Sequence, residues 1–235
     1  MSIDSWATAG RLHPIAGAYC PIHLDLSSRE FSLIKKYYVI NGGTHVMLRM
    51  LPVGPYRANC YILGCKNTLE GLVIDPGDEV FRIVQEISRL GLRIKYIFLT
   101  HGHFDHTGGA RELKRITGAP VWIHSLDEPA LDFPVDGNFH DGQIFTVGSY
   151  TIQVLHTPGH SPGGVCFHAP GAVFTGDTLF AGSVGRTDFP GGSHSQLITA
   201  VREKIFPLGD ELRVYPGHGP PSTIGRERLT NPFFV

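Results

Sequence analysis

The feature that most constrains this sequence is a histidine-rich element, THGHFDH, at residues 100–106, directly after the apolar run 96–99. Alternate side chains of an extended chain point to the same side, so His101 and His103 can reach one point together. If a helix follows, Asp105 and His106 leave its first turn in another direction and can reach a second point. Imidazole and carboxylate groups suit zinc, iron or manganese. A solvated loop would not require this alternation at a strand end, so the pattern favours a metal site.

Later motifs supply further groups of the same chemistry. His160, Asp177 and His218 each lie at the end of an apolar, strand-like run. Each also has a glycine beside it, which allows the backbone to turn tightly next to a ligand. Any one of them alone is more typical of a hydrogen-bonded structural residue. Their recurrence at several strand ends of one chain indicates a shared site.

In this order, the motifs resemble those of the metallo-β-lactamase superfamily, from about residue 50 to the C-terminus. The resemblance implies a four-layer αββα sandwich, whereas the apolar pattern by itself supports only a mixed α/β fold. It also implies two divalent metal ions, with zinc as the expected metal and iron or manganese as alternatives. One ion would be held by His101, His103 and His160, the other by Asp105, His106 and His218, and Asp177 would bridge them.

A pair of such ions is expected to ionise a shared water molecule, which attacks a carbonyl carbon while a metal stabilises the oxyanion. The expected catalytic carboxylates are Asp177, which fixes the separation of the ions, and Asp105, which orients the nucleophile or carries a proton. Asp75, at an earlier strand end, is expected either to accept an imidazole N–H from a metal ligand or to form a simple turn. Arg186 is expected either to bind a substrate carboxylate or to pair with Asp188.

Within the superfamily, residues 157–163 (TPGHSPG) and 174–180 (FTGDTLF) resemble glyoxalase II, the hydroxyacylglutathione hydrolases. Asp177 disfavours lactam hydrolysis, because the commonest metallo-β-lactamases carry a cysteine there. The expected reaction is hydrolysis of a small acyl-thiol such as S-lactoylglutathione. After His218 the sequence lacks the helical domain that supplies basic residues for glutathione in longer glyoxalase II enzymes, which leaves the recognition of glutathione open.

Two alternatives remain. Residues 185–189 (GRTDF) also resemble persulfide dioxygenases, which hold a single iron with two histidines and an aspartate. In that case His101, His160 and Asp177 would form the triad, and the other candidates would not bind metal. The third interpretation is a non-catalytic metal-binding scaffold.

Composition limits the partners and the cellular location that can be expected. The 235 residues are 42% hydrophobic and 17% charged, and their net charge of −1 gives no reason to expect nucleic acid or an anionic membrane as a partner. No apolar run approaches the ~18 residues of a membrane span, and the N-terminus lacks the pattern of a secretory signal. The four cysteines are expected to be free thiols, because their spacing suits no zinc site or disulfide scaffold. A cytoplasmic location is therefore expected.

The chain is expected to divide into an N-terminal extension of unknown role (residues 1–45) and a hydrolase domain (residues 46–235). One hypothesis is that the extension is dispensable. Residues 31–40 fit a helix or a strand. Strands are predicted at residues 47–53, 59–63, 72–74, 93–99, 121–124, 144–147, 150–155, 165–168, 172–175 and 212–215. Helices are predicted at residues 80–90, from Asp105 with Ala110, Leu113 and Ile116 inward, and from a Ser193–Gln196 capping box to Ile205. Residues 127–139 are predicted to be irregular and to form a rim of the site.

Overall fold

Two β-sheets account for most of the regular structure. The computed structural model describes residues 37–40 and 44–235, and in this part of the chain one sheet has seven strands and the other six. The strands of the first sheet are β1 (Tyr37–Ile40), β2 (Thr44–Val53), β3 (Ala58–Cys65), β4 (Glu70–Ile74), β5 (Arg93–Phe98), β6 (Val121–His124) and β7 (Gly137–Phe139). Their spatial order follows the chain, with antiparallel pairing from β1 to β4 and parallel pairing from β4 to β7.

The second sheet comes from the C-terminal half of the chain. Its strands are β8 (Ile144–Val147), β9 (Tyr150–His156), β10 (Val165–Ala169), β11 (Ala172–Gly176), β14 (Arg213–Pro216) and β15 (Ser222–Thr223), and a separate hairpin is formed by β12 (Leu179–Phe180) and β13 (Ser183–Val184). The spatial order is β15-β14-β11-β10-β9-β8, and β11 and β14 pair in parallel. Because these two strands are parallel neighbours, Asp177 and His218, which follow them, leave the sheet side by side.

Helices cover the outer faces of the two sheets. They are α1 (Val80–Leu90), α2 (Phe104–Thr107), α3 (Ala110–Thr117), α4 (His194–Ala200) and α5 (Ile224–Thr230). Helix α4 continues as a π-helical turn, Val201–Ile205, and a 3-10 turn, Phe206–Leu208, and another 3-10 turn is Glu128–Ala130. Among the helices that the structure describes, none has the length and apolar character that a membrane crossing needs.

Side-chain alternation along the strands produces the layers. In β4, Leu72 and Ile74 belong to the core between the sheets, whereas Val73 belongs to the core beneath α1 and α3. In β10, Phe167 belongs to the core between the sheets, whereas Cys166 belongs to the core beneath α4. Since a strand places successive side chains on opposite faces, each sheet is buried on both sides. The resulting order of helix, sheet, sheet and helix confirms the αββα sandwich.

Phe98, the last residue of β5, lies at the centre of the core between the sheets. Its ring centroid is 5.1 Å from that of Phe139 in the same sheet, and 4.9 Å and 5.1 Å from those of Phe145 and Phe167 in the other sheet. The contacts with Phe139 and Phe145 are edge-to-face, the rings of Phe98 and Phe167 are tilted by 33°, and aromatic pairs of this kind add about 0.5–1.5 kcal/mol each to the burial of apolar area. This packing fixes the end of β5, from which residues 100–106 depart.

Most predicted elements are present, and the helix at 80–90 and the strands at 121–124 and 144–147 have the predicted bounds. The inward orientation of Ile116 was wrong: it is 45% exposed, whereas Ala110 and Leu113 are fully buried. At 100° per residue, Ile116 lies about 120° from Ala110 around the helix axis, outside the buried face. The irregular conformation predicted for residues 127–139 was wrong in part, because they contain a 3-10 turn and β7, which pairs in parallel with β6.

The remaining predictions divide between the described and undescribed parts of the chain. Cys60, Cys65 and Cys166 are free and buried, as predicted, while Cys20 lies outside the described residues. Within residues 31–40, Tyr37–Ile40 form a strand. Strand β1 and the first residues of β2 precede residue 46, where the hydrolase domain was expected to begin, and most of residues 1–45 lie outside the described part. Strands β12, β13 and β15 and helix α5 were not predicted, because such short elements carry little periodicity.

Candidate metal centre

Loops that follow four strands meet at one edge of the two sheets. Residues 101–106 follow β5 of the first sheet, and His160, Asp177 and His218 follow β9, β11 and β14 of the second. Their ligand atoms form three overlapping groups, each within 4.8 Å: His101, His103 and His160; His101, His106 and Asp177; and Asp105, His106 and His218. Within the described residues these groups contain the same seven side chains that the sequence singled out. The structure therefore brings all of them together.

The first group combines histidines from both sheets. His103 Nδ1 lies 2.9 Å from His160 Nε2, and the ring centroid of His101 lies 4.7 Å and 4.8 Å from those of His103 and His160. His101 and His160 are buried, and His103 is partly exposed. Asp177 Oδ2 lies 3.5 Å from His160 Nε2, which places this carboxylate at the border of the group.

The second group lies on the other side of Asp177. His218 Nε2 is 3.2 Å from both His106 Nε2 and Asp105 Oδ2. Asp177 Oδ1 is 3.4 Å from His106 Nε2, so one carboxylate contacts members of both groups. Gly217 is required for this approach, because an added Cβ would collide with Asp177 Oδ1 and lie 2.8 Å from His106 Cε1.

Asp75 and Thr100 set the orientation of two of the rings. The Thr100 hydroxyl donates to Asp75 Oδ2 at 2.7 Å, so it accepts from His101 Nδ1 at 3.0 Å. His106 Nδ1 donates to the same Asp75 oxygen at 2.9 Å. Both rings therefore carry a proton on Nδ1 and direct Nε2 into the site. Of the two arrangements expected for Asp75, the structure contains the hydrogen bond to an imidazole.

Arg186 contributes through its backbone. His160 Nδ1 donates to the Arg186 carbonyl at 2.7 Å, which leaves Nε2 of this ring directed at the site as well. The guanidinium of Arg186 pairs with both oxygens of Asp188, at 2.8 Å and 2.6 Å, and lies 4.2 Å from the centroid of the Phe189 ring. Of the two arrangements expected for Arg186, the structure contains the pair with Asp188.

Two atoms at the centre of the site indicate that a cation belongs there. His101 Nε2 and Asp177 Oδ1 are buried and have no hydrogen-bond partner. Leaving such a group unpaired costs about 1–3 kcal/mol, and more when it is charged. Ligands that share one ion through bonds of about 2.0–2.1 Å lie about 3–3.4 Å apart, close to the separations measured here. The residues therefore fit divalent metal ions.

Burial and mutual repulsion keep part of the site neutral. Burial lowers the pKa of His101 well below its usual value, and the neighbouring His106 and His160 add to the effect. Burial and His160 also lower the pKa of His103. Neutral imidazoles are the form that binds metal. These two rings are therefore ready to act as ligands near neutral pH.

In the second group, the carboxylates raise the pKa values of the histidines. Burial alone would lower the pKa of His106, but Asp177 and the hydrogen bond to Asp75 outweigh it and raise the pKa to about 9. The hydrogen bond to Asp105 raises the pKa of His218 against the effect of burial. The clustered carboxylates thus favour a positive charge at this point, either a proton or a metal ion.

Two residues with clear structural roles were not identified from the sequence. Asp127 is buried beneath the loops that carry the first group, and Asn59 donates to the carbonyls of Pro216 and Gly219, on either side of His218. Asn59 lies 157 residues from Pro216, so no local pattern indicates the contact. Asp127 falls in the segment that was predicted to be irregular.

Comparison with known proteins agrees with this geometry. The sequence profile of the metallo-beta-lactamase superfamily matches residues 53–218. The chain is 37% identical over 206 residues to hydroxyacylglutathione hydrolase GloC of Haemophilus influenzae, and the alignment covers 79% of this chain and 97% of that protein.

Two solved structures are similar to this chain over almost their whole length. The BLEG-1 B3 metallo-beta-lactamase has a TM-score of 0.75 and 35% identity, covering 80% of this chain and 100% of its own. TTHA1623 in a di-iron-bound form has a TM-score of 0.71 and 37% identity, covering 79% and 99%. With the profile match, these similarities show that the chain belongs to the metallo-β-lactamase superfamily.

Proposed function

We propose that this protein is a binuclear metal-dependent hydrolase of thioesters, with S-lactoylglutathione as the representative substrate. The observation that carries the proposal is the second group of donors, Asp105, His106 and His218, which lies beside the three histidines of the first. Asp177 is within 3.4 Å of His106 Nε2 and 3.5 Å of His160 Nε2, in a position to bridge the two groups. A mononuclear site would need only one of the groups.

The side chains suggest a division of roles. When bound, a pair of divalent ions supplies Lewis acidity and a water molecule that ionises near neutral pH. The donors would hold zinc, with iron or manganese as alternatives. Asp177 sets the spacing between the two groups. Asp105, whose carboxylate faces His218 and remains 17% exposed, is assigned to orient the attacking water and to accept its proton.

The substrate is proposed to be a small acyl-thiol. Support comes from the 37% identity to a hydroxyacylglutathione hydrolase, and from the glyoxalase II-like motifs around His160 and Asp177. The guanidinium of Arg186 is paired with Asp188, so a contact with a substrate carboxylate would require it to exchange partners. The buried free thiols support a reducing, cytoplasmic location.

One alternative activity has an observation of its own. Residues 185–189 resemble persulfide dioxygenases. The ring centroid of Phe189 in this segment lies 5.0 Å from that of His103, so the segment packs against the first group. His101, His160 and Asp177 would then hold a single iron. The 35% identity to a B3 metallo-beta-lactamase also makes a β-lactam a necessary comparison substrate, although Asp177 disfavours this activity.

The proposal is tested by measuring metal content and three activities on the same preparation. The hydrolase predicts two metal ions per chain, hydrolysis of S-lactoylglutathione, and a kcat/KM for the β-lactam nitrocefin at least tenfold lower. One iron per chain with oxygen uptake on glutathione persulfide would replace the proposal with the dioxygenase. Full metal occupancy without thioester hydrolysis would also contradict it.

Substitution of His218 separates the two enzymes further. We expect His218→Ala to lower the metal content from two ions to one and to reduce thioester hydrolysis more than about 100-fold, because the loss of mere supporting contacts already costs 10–100-fold. A mononuclear dioxygenase would keep its iron and its activity. His194→Ala is a matched control, since His194 is exposed and lies outside the donor groups.

A further inference from the structure

A buried carboxylate beneath the first donor group has no role in the chemistry described so far. Asp127 follows β6 and is 5% exposed. Its Oδ2 accepts hydrogen bonds from Gly102 N at 3.0 Å and from the Ser161 hydroxyl at 2.6 Å. Its Oδ1 accepts from Gly163 N at 2.7 Å. These donors compensate for the removal of the carboxylate from water.

The donors belong to two loops that carry the first group. Gly102 lies between His101 and His103, and Ser161 follows His160. One loop leaves β5 of the seven-stranded sheet, and the other leaves β9 of the six-stranded sheet. The carboxylate therefore joins loops from different sheets, in addition to the hydrogen bond from Val165 N to Thr100 O at 2.8 Å. Through them it fixes the separation of the histidines on which a shared metal ion depends.

The two glycines leave little space around Asp127. A Cβ added at Gly163 would lie 2.7 Å from Asp127 Oδ1, and one added at Gly102 would lie 2.9 Å from the Asp127 carbonyl oxygen. Both loops reach the aspartate only because they lack side chains at these positions. The amide of an asparagine would direct an N–H group at one of the existing donors, which would repel it.

We propose that Asp127 is a positioning residue for the metal site formed by His101, His103 and His160. It acts through the two loops and does not touch the ion or the substrate. This distinguishes it from Asp75, which contacts His106 directly. The inference rests on the metal-binding part of the proposed function and is independent of the substrate.

The experiment measures metal affinity by competition with a chelator. The background is His218→Ala, which leaves the first site, so that each protein yields one dissociation constant for Zn²⁺. We expect Asp127→Asn in this background to weaken binding 10–100-fold, the usual effect of losing a group that supports metal ligands. Asp136→Asn is the matched control, because Asp136 lies in the same segment and accepts from Val121 N, away from the donor loops.

A second variant protects the test against misfolding. Ser161→Ala removes one of the donors to Asp127 and should weaken Zn²⁺ binding at the same site by less than Asp127→Asn does. Unchanged affinity in both variants, or an equal loss in Asp136→Asn, would overturn the positioning role. A lower melting temperature of the metal-free protein with unchanged Zn²⁺ affinity would assign Asp127 to stability alone, and so would also overturn it. Failure of the unaltered protein to bind metal would instead contradict the proposed function.

Discussion

Asp177 is the residue on which the two donor groups depend. Its side chain is only 12% exposed, and its Oδ1 is buried without a partner although His106 Nε2 is 3.4 Å away. A carboxylate in this position needs a cation beside it, which is the protonated His106 in the metal-free chain and a metal ion in the loaded one. The same residue should therefore matter both for metal binding and for the stability of the metal-free chain.

We expect Asp177→Ala to reduce hydrolysis of S-lactoylglutathione more than about 100-fold and to lower metal content below two ions per chain, because ligands of both groups lose their common partner. Near neutral pH the metal-free variant should melt at a lower temperature than the metal-free parent, because Asp177 helps to raise the pKa of His106 to about 9 and the protonated ring loses this partner. Metal analysis and thermal melts after chelation measure these effects. Asp132→Asn is the control, as this side chain is 86% exposed. Two bound ions in Asp177→Ala would contradict the bridging role.

Strand β3 is the element that holds the loop after β14. Asn59 donates its two amide hydrogens to Pro216 O at 3.0 Å and Gly219 O at 2.9 Å, and its backbone N–H donates to Gly217 O at 2.7 Å. The Tyr61 hydroxyl donates to Pro216 O at 2.6 Å. A strand of the first sheet thus fixes a ligand loop of the second sheet on both sides of His218.

We expect Asn59→Ala to lower the free energy of unfolding by about 1–3 kcal/mol, because the Gly219 carbonyl oxygen loses its side-chain donor and the Pro216 carbonyl oxygen keeps only Tyr61. It should also weaken the metal site that contains His218, while the site of His101, His103 and His160 keeps its affinity. Denaturant unfolding and chelator competition test the two effects. Asn138→Ala is the matched control, since Asn138 donates to Ile123 O and Glu128, outside the site. If the metal site that contains His218 has the same affinity in Asn59→Ala as in the unaltered protein, β3 does not support that site.

The sequence predicted elements better than it predicted contacts between them. Apolar residues at helical spacing and Gly91 were enough to place α1, and apolar runs were enough to place most strands, because these signals are local. His160, Asp177 and His218 were identifiable because each follows a strand beside a glycine, and the other four ligands because they fall in one histidine-rich element. The hydrogen bonds of Asn59, the burial of Asp127 and the π-helical turn at Val201–Ile205 depend on partners distant in the chain or on packing. No periodicity in the sequence reports such contacts.

On the scale of the whole molecule, the site joins the two sheets. Residues 101–106 extend from the first sheet, and His160, Asp177 and His218 extend from the second. Metal ions bound by both sets would act as crosslinks at one edge of the sandwich, in addition to the aromatic packing around Phe98. Metal binding and folding should therefore be coupled.

We expect a chelator to lower the melting temperature of the protein. An ion present at 100 times its dissociation constant stabilises the native state by about 2.7 kcal/mol, which corresponds to about 5–10 °C for a domain of this size. Differential scanning calorimetry with and without EDTA, followed by addition of Zn²⁺, measures the shift and its reversal. Asp177→Ala should show a smaller shift. An identical melting temperature with and without metal would mean that the ions do not connect the sheets.

The pairing of β11 with β14 has a consequence for the order in which the protein becomes active on the ribosome. Asp177 follows β11 and His218 follows β14, although the two strands are neighbours in the sheet. At 5–20 residues per second, translation from one ligand to the other takes about 2–8 s. During that interval a nascent chain already has every donor of the first group and Asp177, but lacks His218. In the proposed enzyme, the second donor group is therefore complete only when a late strand inserts beside an early one.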